Sequence, residues 1–319
     1  MAITTQRSPH NPIVHPGINE RIGGNINGPS LIRVPEWVEN PLGRYYLYFA
    51  HHQGKYIRLA YADNLLGPYK VYGPGVLDIE DTPFTKHIAS PDVHVDHDIN
   101  AVRMFYHGKE FIGRKPDSIG QTTCHAQSLD GLDFTSDRVC VGPSYLRMVR
   151  LKDYTYGFRG LADRLLWRTQ NDRTLFEPGP SIKIESEEYT PKEQITKENK
   201  KNPDFPIFRM RHTALVLRDH NLDIYYSNTG DCPERIKRTT VDLSSDWTEW
   251  QGSAPIEILC PETDYEGVNQ PNLPSDGGVS HDPVRQVRDP YVYVEGDRSY
   301  LVYSVAGEMG LGIAELIEN

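Results

Sequence analysis

Cysteine, long apolar runs and excess positive charge are all scarce in this 319-residue sequence. The cysteines Cys124, Cys140, Cys232 and Cys260 form no CxxC pair and no zinc-ligand spacing, so we interpret them as buried reduced thiols. No stretch approaches the roughly 18 apolar residues of a membrane span. Residues 1–17 also lack the apolar segment of a signal peptide. These absences predict a cytoplasmic protein without membrane association, unless a leader peptide has been removed.

Lys and Arg number 34 against 44 Asp and Glu, which gives a formal net charge of −10. Proteins that bind the phosphate backbone need clustered Lys and Arg, so this balance argues against a nucleic-acid partner. Aromatic residues, in contrast, make up 10% of the chain and include 19 Tyr. A disordered chain lacks that much aromatic surface to bury, so the sequence predicts a globular protein.

A small turn signal followed by alternating apolar residues recurs five times along the chain. The copies are GPSLIRV (28–34), SPDVHVD (90–96), GPSYLRM (142–148), RHTALVL (211–217) and RDPYVYV (288–294). After a polar turn, a strand rich in Tyr or Phe follows, as in RYYLYFAHH (44–52) and LDIYYSN (222–228). The period-2 alternation favours antiparallel strands, and the spacing between copies fits four-stranded propeller blades.

We therefore predict an all-β fold, a five-bladed β-propeller formed by residues 1–319 as a single domain. Its blades start near residues 28, 90, 142, 211 and 288. The last copy has only three strands, so the segment around Asn11–Val14 is expected to supply the fourth and close the ring. Residues 183–206 and 255–287 are too long for hairpin loops and are interpreted as insertions, which often shape a pocket. A β-sandwich would not explain five similar strand starts.

The first strand of each blade lines the axis of a propeller, so residues at the five strand starts should meet there. These residues are mostly polar: Asn27, Ser30, Ser90, Asp92, Ser144, Tyr145, Arg211, His212, Arg288 and Asp289. Burying so many polar groups without partners would be unfavourable, which favours a wet pocket for a small-molecule substrate. His51, at the end of a second strand, is a further candidate for substrate binding. Glu266, in a loop of the second insertion that could form a lid over the axis, is another.

Asp92 and Asp289 are the two carboxylates of this set, and paired carboxylates are what acid–base cleavage of a glycosidic bond requires. Either one could instead cap a turn. His212 could serve as a general acid, ligate a metal or form a core hydrogen bond. Arg211 and Arg288 suit an anionic substrate group, or pair with the two Asp residues.

No metal site or cofactor is predicted from the residues, and a cation on the axis is left open. The run of His94, Asp96, His97 and Asp98 looks like a ligand set. Alternation along a strand, however, places its members on different faces and in a turn.

The five strand starts, together with GRYYLYFAHH, YIRLAYADNLLGPY and VRDPYVYVEGDRSYLVYSV, resemble the five-bladed propeller glycoside hydrolases around family 43. The resemblance implies an Asp base before Pro in the first blade, an Asp that tunes the acid in the second and a Glu acid before Gly-Pro in the third. In this chain Gly28, Ser90 and Val141 occupy those positions, whereas the one intact Asp-Pro pair is Asp289–Pro290. The resemblance therefore carries the fold but not the family's catalytic residues, and a His acid, as in some related hydrolases, would suit His212.

Three functions remain open on this evidence. The first is a glycoside hydrolase-like enzyme on a small saccharide or glycoside, with Asp92 and Asp289 as acid and base and His212 assisting. The second is elimination or cyclisation of a small metabolite, which predicts a pocket lined more by Tyr, His and apolar groups than by carboxylates. The third is a non-catalytic binding propeller, which predicts both Asp residues locked in ion pairs with Arg288 and Arg211 and no accessible pocket.

Overall fold

The computed structural model describes residues 3–112, 120–161, 163–199, 202, 205 and 207–318. Five mainly antiparallel sheets follow one another along this chain and form a five-bladed β-propeller, which confirms the predicted fold class. In each sheet the strand that begins at the repeated motif lies innermost, and the strands that follow it are added outward. The five inner strands therefore surround the axis at which the polar strand starts were expected to meet.

The strands are numbered in chain order, beginning with β1 (Ile3–Arg7). Blade 1 contains β2 (Asn27–Arg33), β3 (Tyr45–Ala50), β4 (Tyr56–Ala62) and β5 (Lys70–Asp78). Blade 2 contains β6 (Phe84–Asp96), β7 (Ala101–Phe111), β8 (Thr122–Ser128) and β9 (Thr135–Pro143). Blade 3 contains β10 (Leu146–Leu151), β11 (Tyr154–Arg159), β12 (Leu165–Thr169) and β13 (Glu177–Ser181).

Blade 4 has six strands, which are β14 (Lys183–Ile184), β15 (Arg209–Arg218), β16 (Asn221–Thr229), β17 (Ile236–Asp242), β18 (Gln251–Gly252) and β19 (Ile256–Leu259). Blade 5 contains β20 (Arg288–Glu295), β21 (Arg298–Ser304) and β22 (Leu311–Glu318), completed by β1. Short 3-10 helices lie at Pro16–Ile18, Glu20–Ile22, Ile79–Asp81, Lys192–Gln194, Trp247–Glu249 and Asp264–Glu266. Among the described residues no helix is long and apolar enough to cross a membrane.

An N-terminal strand closes the ring, as predicted, but it is not the expected one. β1 pairs antiparallel with β22, with Ile3 opposite Glu318 and Arg7 opposite Ala314. The assignment of Asn11–Val14 as the closing strand was wrong. Pro9 and Pro12 cannot donate to a ladder, and this segment makes only an isolated bridge from Val14 to Leu311.

The third blade begins slightly later than the repeat predicts. Gly142 and Pro143 pair with Thr123 and Thr122, so they end the outer strand of blade 2 rather than start blade 3. The first residue of β10 is Leu146. Tyr145 therefore stands between the two blades, directly before the inner strand.

Both predicted insertions contribute strands to blade 4. β14, at the start of 183–206, pairs in parallel with β18, and β19, at the start of 255–287, pairs with β17. Residues 200, 201, 203, 204 and 206 of the first insertion lie outside the described residues. The two segments thus begin as extra edges of one sheet before they continue as loops.

Hydrophobic cores lie between neighbouring blades. Tyr46, Met104 and Tyr106 are buried together between blades 1 and 2. Between blades 2 and 3 the core is a small cluster of Phe105, Val141, Leu146, Met148 and Phe176. Since each sheet buries one face against each neighbour, the ring of sheets fixes where the inner strands place their polar ends.

Candidate active site

β-Bulges on the inner strands determine which side chains face the axis. In four blades the pairing of the inner strand with the next strand is interrupted near the cavity. The strand pairs are β2 with β3, β6 with β7, β15 with β16 and β20 with β21. These interruptions lie between Asn27 and Ser30, Ala89 and Asp92, Met210 and Thr213, and Arg288 and Tyr291. Within the bulges Gly28, Ser90 and Asp289 adopt positive φ values of 58°, 50° and 51°, and Tyr145 has 64° at the start of blade 3. A bulge re-aims side chains, here toward one axial cavity.

The axial cavity has a volume of about 310 Å³ and draws residues from all five blades. Its lining comprises Asn27, His52, Gln53, His87, Ala89, Ser90, His107, Gln121, Tyr145, Leu161, Arg209, Met210, Arg211, His212, Gly278, Asp289 and Glu308. Of the candidates proposed from sequence, it brings together Asn27, Ser90, Tyr145, Arg211, His212 and Asp289. The strand starts do converge, as the propeller topology requires.

His212 and Asp289 form an ion-pair geometry at the centre of this cavity. The Nδ1 atom of His212 lies 3.1 Å from Oδ1 of Asp289, and Ser304 Oγ donates to Asp289 Oδ2 at 3.3 Å. His212 Nε2 lies 3.3 Å from Ser90 Oγ. Burial alone would raise the pKa of the Asp289 carboxyl, but His212 and the nearby arginines hold that pKa well below its usual range. Asp289 is therefore ionised at neutral pH.

Tyr145 lies between two histidine rings and forms an aromatic wall of the cavity. Its ring centroid is 4.2 Å from that of His107 and 4.6 Å from that of His212, with interplanar angles of 49° and 36°. Burial keeps the pKa of His107 well below its usual value, so His107 is neutral. Burial and the charge of Asp289 raise the pKa of Tyr145. The rings of Tyr145 and His107 are therefore both uncharged at neutral pH.

Glu308 is a second carboxylate of the cavity, and the sequence argument missed it. It accepts hydrogen bonds from the Nδ2 atoms of Asn25 and Asn27, the latter at 3.2 Å, and lies 3.6 Å from Nδ1 of His52. Burial would raise its pKa, but His52 and Arg288 lower it overall. A signal existed, because Glu308 follows the second strand of blade 5 just as His52 follows the second strand of blade 1.

Ser30 and Asp92 lie outside the cavity and instead connect adjacent blades. Ser30 Oγ accepts from the Val93 amide at 2.9 Å, and Asp92 Oδ2 accepts from the Met148 amide at 2.8 Å. Asp92 Oδ1 is 3.5 Å from Nη1 of Arg147, whose Nε donates to Thr213 O at 3.1 Å. The bulge between Ala89 and Asp92 directs the Ser90 side chain into the cavity. Asp92 lies further along β6 and does not line the cavity. Asp92 and Asp289 therefore do not face a common substrate.

The pKa of Asp92 follows from this bridging role. Burial alone would raise the pKa of its carboxyl, but His94, whose Nε2 lies 3.0 Å from Oδ2, and Arg147 lower it. The carboxylate is 3% exposed and its hydrogen-bond acceptors are occupied by protein donors. Asp92 is thus an ionised link between blades 2 and 3.

Three further predicted residues do not line the cavity either. Arg288 is buried behind it, where Nε donates to Gly307 O at 3.1 Å and Nη2 lies 3.5 Å from Glu308. Ser144 is buried beside Tyr145 but does not reach the cavity. His51 contacts the carbonyl of His52, and it is His52 that faces the cavity. Alternation along the chain explains why only one of the two neighbouring histidines can point inward.

The expectation that Glu266 belongs to a lid over the axis is corrected by its contacts. Glu266 is fully buried and accepts from Arg7 Nε at 2.8 Å and from the Tyr303 hydroxyl at 2.7 Å. It also completes a capping box with Thr263 at the start of its 3-10 helix. Its carboxylate therefore holds the closing strand β1 to the second insertion.

No metal-binding cluster is evident in the part of the chain that the structure describes. There, no group of three or more His, Cys, Asp or Glu side chains is arranged to hold an ion. The histidines of the cavity instead contact aromatic rings and carboxylates, as described above.

The fold is shared with enzymes that act on glycosides. A glycoside hydrolase-like protein of Parabacteroides distasonis superposes with a TM-score of 0.65 at 10% identity, over 99% of this chain and 97% of that one. A family 130 structure, described with mannoside phosphorylases and β-1,2-mannoside hydrolases, gives 0.64 at 10% identity, over 98% and 93%. A family 43 enzyme of Xanthomonas citri bound to xylose gives 0.57 at 13% identity, over 93% and 88%. The chain thus has the five-bladed propeller fold of these glycoside hydrolase families.

Sequence comparison defines the family more narrowly. An uncharacterized protein of Acanthamoeba polyphaga mimivirus is 37% identical over 316 residues, which cover 92% of this chain and 83% of the viral protein. This chain and the mimivirus protein belong to the same family. No family model matches the chain.

Proposed function

We propose that this protein is a glycoside hydrolase-type enzyme that cleaves a glycosidic bond of a small saccharide bound in the axial cavity. The observation that carries the proposal is the His212–Asp289 pair, which faces a cavity shared with Glu308. A cavity of about 310 Å³ is of the size that accommodates a small ligand. The fold, which glycoside hydrolases also use, supports the same reading, although function must be argued from the site.

In this proposal His212 is the general acid. Asp289 is held ionised, so it cannot donate a proton, and its carboxylate places a negative charge 3.1 Å from Nδ1 of His212. Nε2 then carries the proton that passes to the oxygen of the leaving group as the glycosidic bond breaks. Imidazole is suited to this step because it titrates near neutral pH.

Glu308 takes the second role in the proposal. Its low pKa keeps it ionised, so it can accept a proton from the water that attacks the anomeric carbon. The pair of Glu308 and His212–Asp289 replaces the pair of Asp92 and Asp289 expected from sequence. Tyr145 offers an aromatic face against which a sugar ring can stack.

A second candidate function, elimination or cyclisation of a small metabolite, is favoured by one observation. Among the described residues, four histidines and Tyr145 line the cavity together with two carboxylates, both ionised. This composition is the one expected for acid–base chemistry without hydrolysis. The two candidates differ in their products, because hydrolysis adds water to the substrate and elimination leaves an unsaturated product.

The test is to incubate the full chain with a panel of aryl glycosides and oligosaccharides and to identify products by mass spectrometry. We expect hydrolysis that falls about 10²- to 10⁴-fold in Asp289→Asn, His212→Gln and Glu308→Gln. Glu177→Gln, which changes an exposed carboxylate on the outer strand of blade 3, is the matched control. Unsaturated products would favour the second candidate, and full activity in all three cavity variants would overturn both.

A further inference from the structure

Arg209 is a cation of the axial cavity that has no carboxylate partner among the described residues. It opens the inner strand β15 and lines the cavity beside Met210 and Arg211. Its Nε atom is buried and has no hydrogen-bond acceptor among the described residues. Burial and the like charge of Arg211 lower the pKa of its guanidinium. The charge of Arg209 is therefore buried at a cost that no described carboxylate offsets.

The other ionised groups around the cavity are all compensated. Arg211 lies 2.8 Å from Glu234, which also accepts from Ser227 at 2.6 Å. Arg288 lies 3.5 Å from Glu308, and Asp289 lies 3.1 Å from His212. Arg209 differs from all of them in facing open space with its charge unmatched.

The loop 276–278 holds the two arginines of blade 4 in place. Arg211 donates to the carbonyl of Asp276 and, at 3.4 Å, to that of Gly278. A Cβ atom at Gly277 would lie 2.7 Å from Nη2 of Arg209, so this loop packs closely against the guanidinium. Glu308, in contrast, is held by Asn25 and Asn27, next to blade 1. The cavity is thus cationic on the blade 4 side and anionic where blades 5 and 1 meet.

We propose that the substrate of this cavity carries an oxyanion, a carboxylate or a phosphate, that binds to the guanidinium of Arg209. This inference rests on the proposed function, because it names the class of saccharide that the site would take. A planar guanidinium matches the two oxygens of a carboxylate or phosphate and would gain the partner that it lacks in the free protein. A neutral saccharide would leave the charge of Arg209 uncompensated.

The oxyanion can come from two sources, which a binding experiment separates. Affinities of the full chain would be measured by calorimetry for methyl β-glucuronide, methyl β-glucoside and inorganic phosphate. Arg209→Gln is the test variant. Arg150→Gln, which removes an exposed arginine outside the axial cavity, is the control for general charge effects.

We expect the uronide to bind about 10- to 100-fold more tightly than the glucoside, and Arg209→Gln to abolish this difference. If only phosphate binds, and Arg209→Gln abolishes that binding, the oxyanion site is supported and its ligand is a free ion rather than a saccharide. Equal affinities for the uronide and the glucoside without phosphate binding, or oxyanion binding unchanged by Arg209→Gln, would overturn the inference.

Thermal stability and glycoside cleavage distinguish loss of the binding site from a folding defect and from failure of the proposed function. Arg209→Gln should be at least as thermostable as the unmodified protein without ligand, because it removes an uncompensated buried charge. A loss of binding with retained stability is therefore not a folding defect. If oxyanions bind through Arg209 but no glycoside in the panel is cleaved, the proposed function fails while the binding site stands.

Discussion

The imidazole of His212 and the carboxylate of Asp289 meet on the propeller axis, with Nδ1 and Oδ1 3.1 Å apart. The two residues come from the inner strands of blades 4 and 5 and are 77 positions apart in the chain. Asp289 is 4% exposed, so its charge interacts mainly with protein groups. Since Asp289 stays ionised, the imidazole of His212 lies directly beside a negative charge.

Asp289 and Asp92 should respond differently to the same substitution. Asp289→Asn removes the negative charge beside His212, and we expect kcat to fall about 10²- to 10⁴-fold. Asp92→Asn weakens the contacts to Met148 and Arg147 and should instead lower the free energy of unfolding by about 1–3 kcal/mol. Steady-state kinetics and urea unfolding of both variants check this. A large loss of kcat in folded Asp92→Asn would return Asp92 to the catalytic machinery.

Tyr145 should contribute through its ring rather than its hydroxyl. Tyr145→Phe keeps the contacts with His107 and His212 and should retain affinity for a saccharide inhibitor. Tyr145→Ala removes the wall and should weaken binding by about 1–2 kcal/mol, within the range of aromatic contacts plus lost apolar area. Calorimetric titration of both variants measures the difference. Equal affinities for Phe and Ala at this position would exclude the stacking role.

Ring closure should depend on Glu266. Glu266→Ala leaves Arg7 and the Tyr303 hydroxyl without their shared acceptor, and we expect unfolding to become easier by about 3 kcal/mol. Glu177→Ala breaks an exposed pair with Arg168 and is expected to change stability by less than about 1 kcal/mol. Thermal unfolding compares the two variants. If Glu266→Ala left stability unchanged and altered KM instead, the lid interpretation would be restored.

His107 should make the protein sensitive to mild acid. Its folded pKa lies well below the unfolded value of about 6.5, so both states are neutral above that pH. As pH falls below 6.5, the unfolded state binds a proton that the folded state excludes. The free energy of unfolding then decreases by up to about 1.4 kcal/mol per pH unit for this group.

The variant His107→Gln should therefore show a shallower loss of stability between pH 6.5 and 5 in urea unfolding. Part of the loss should persist, because burial also lowers the pKa of His87. Exposed His10→Gln is the control and should follow the unmodified protein. Parallel curves for all three proteins would show that His107 is protonated in the folded state.

The repeat in the sequence predicted the number of blades and the convergence of polar strand starts. Both follow from local chemistry, since period-2 alternation and turn residues specify strands and repeated strand starts specify blades. The same reasoning placed Asn27, Tyr145, Arg211, His212 and Asp289 near the axis. It could not separate them from Asp92, because the bulge that shifts Ser90 and Asp92 to different levels has no distinctive sequence signal.

The closing strand shows the same limit at the N-terminus. Asn11–Val14 and Ile3–Arg7 both offered a segment to pair with β22, and only the assembled ring determines which one fits its free edge. Glu266 looked accessible in a loop rich in Pro, Gly and Asp. Its burial depends on Arg7, which lies 259 positions away in the chain.

By itself, the sequence determined an all-β chain with five blades and a polar axis, because strands and turns are encoded within short windows. Only the tertiary structure decided which polar groups share a cavity and which hold the blades together. It paired His212 with Asp289, added Glu308 and, within the described ranges, gave Arg209 no carboxylate partner. Such relationships depend on distances between residues remote in the chain, and those distances are set by how the blades pack around the axis.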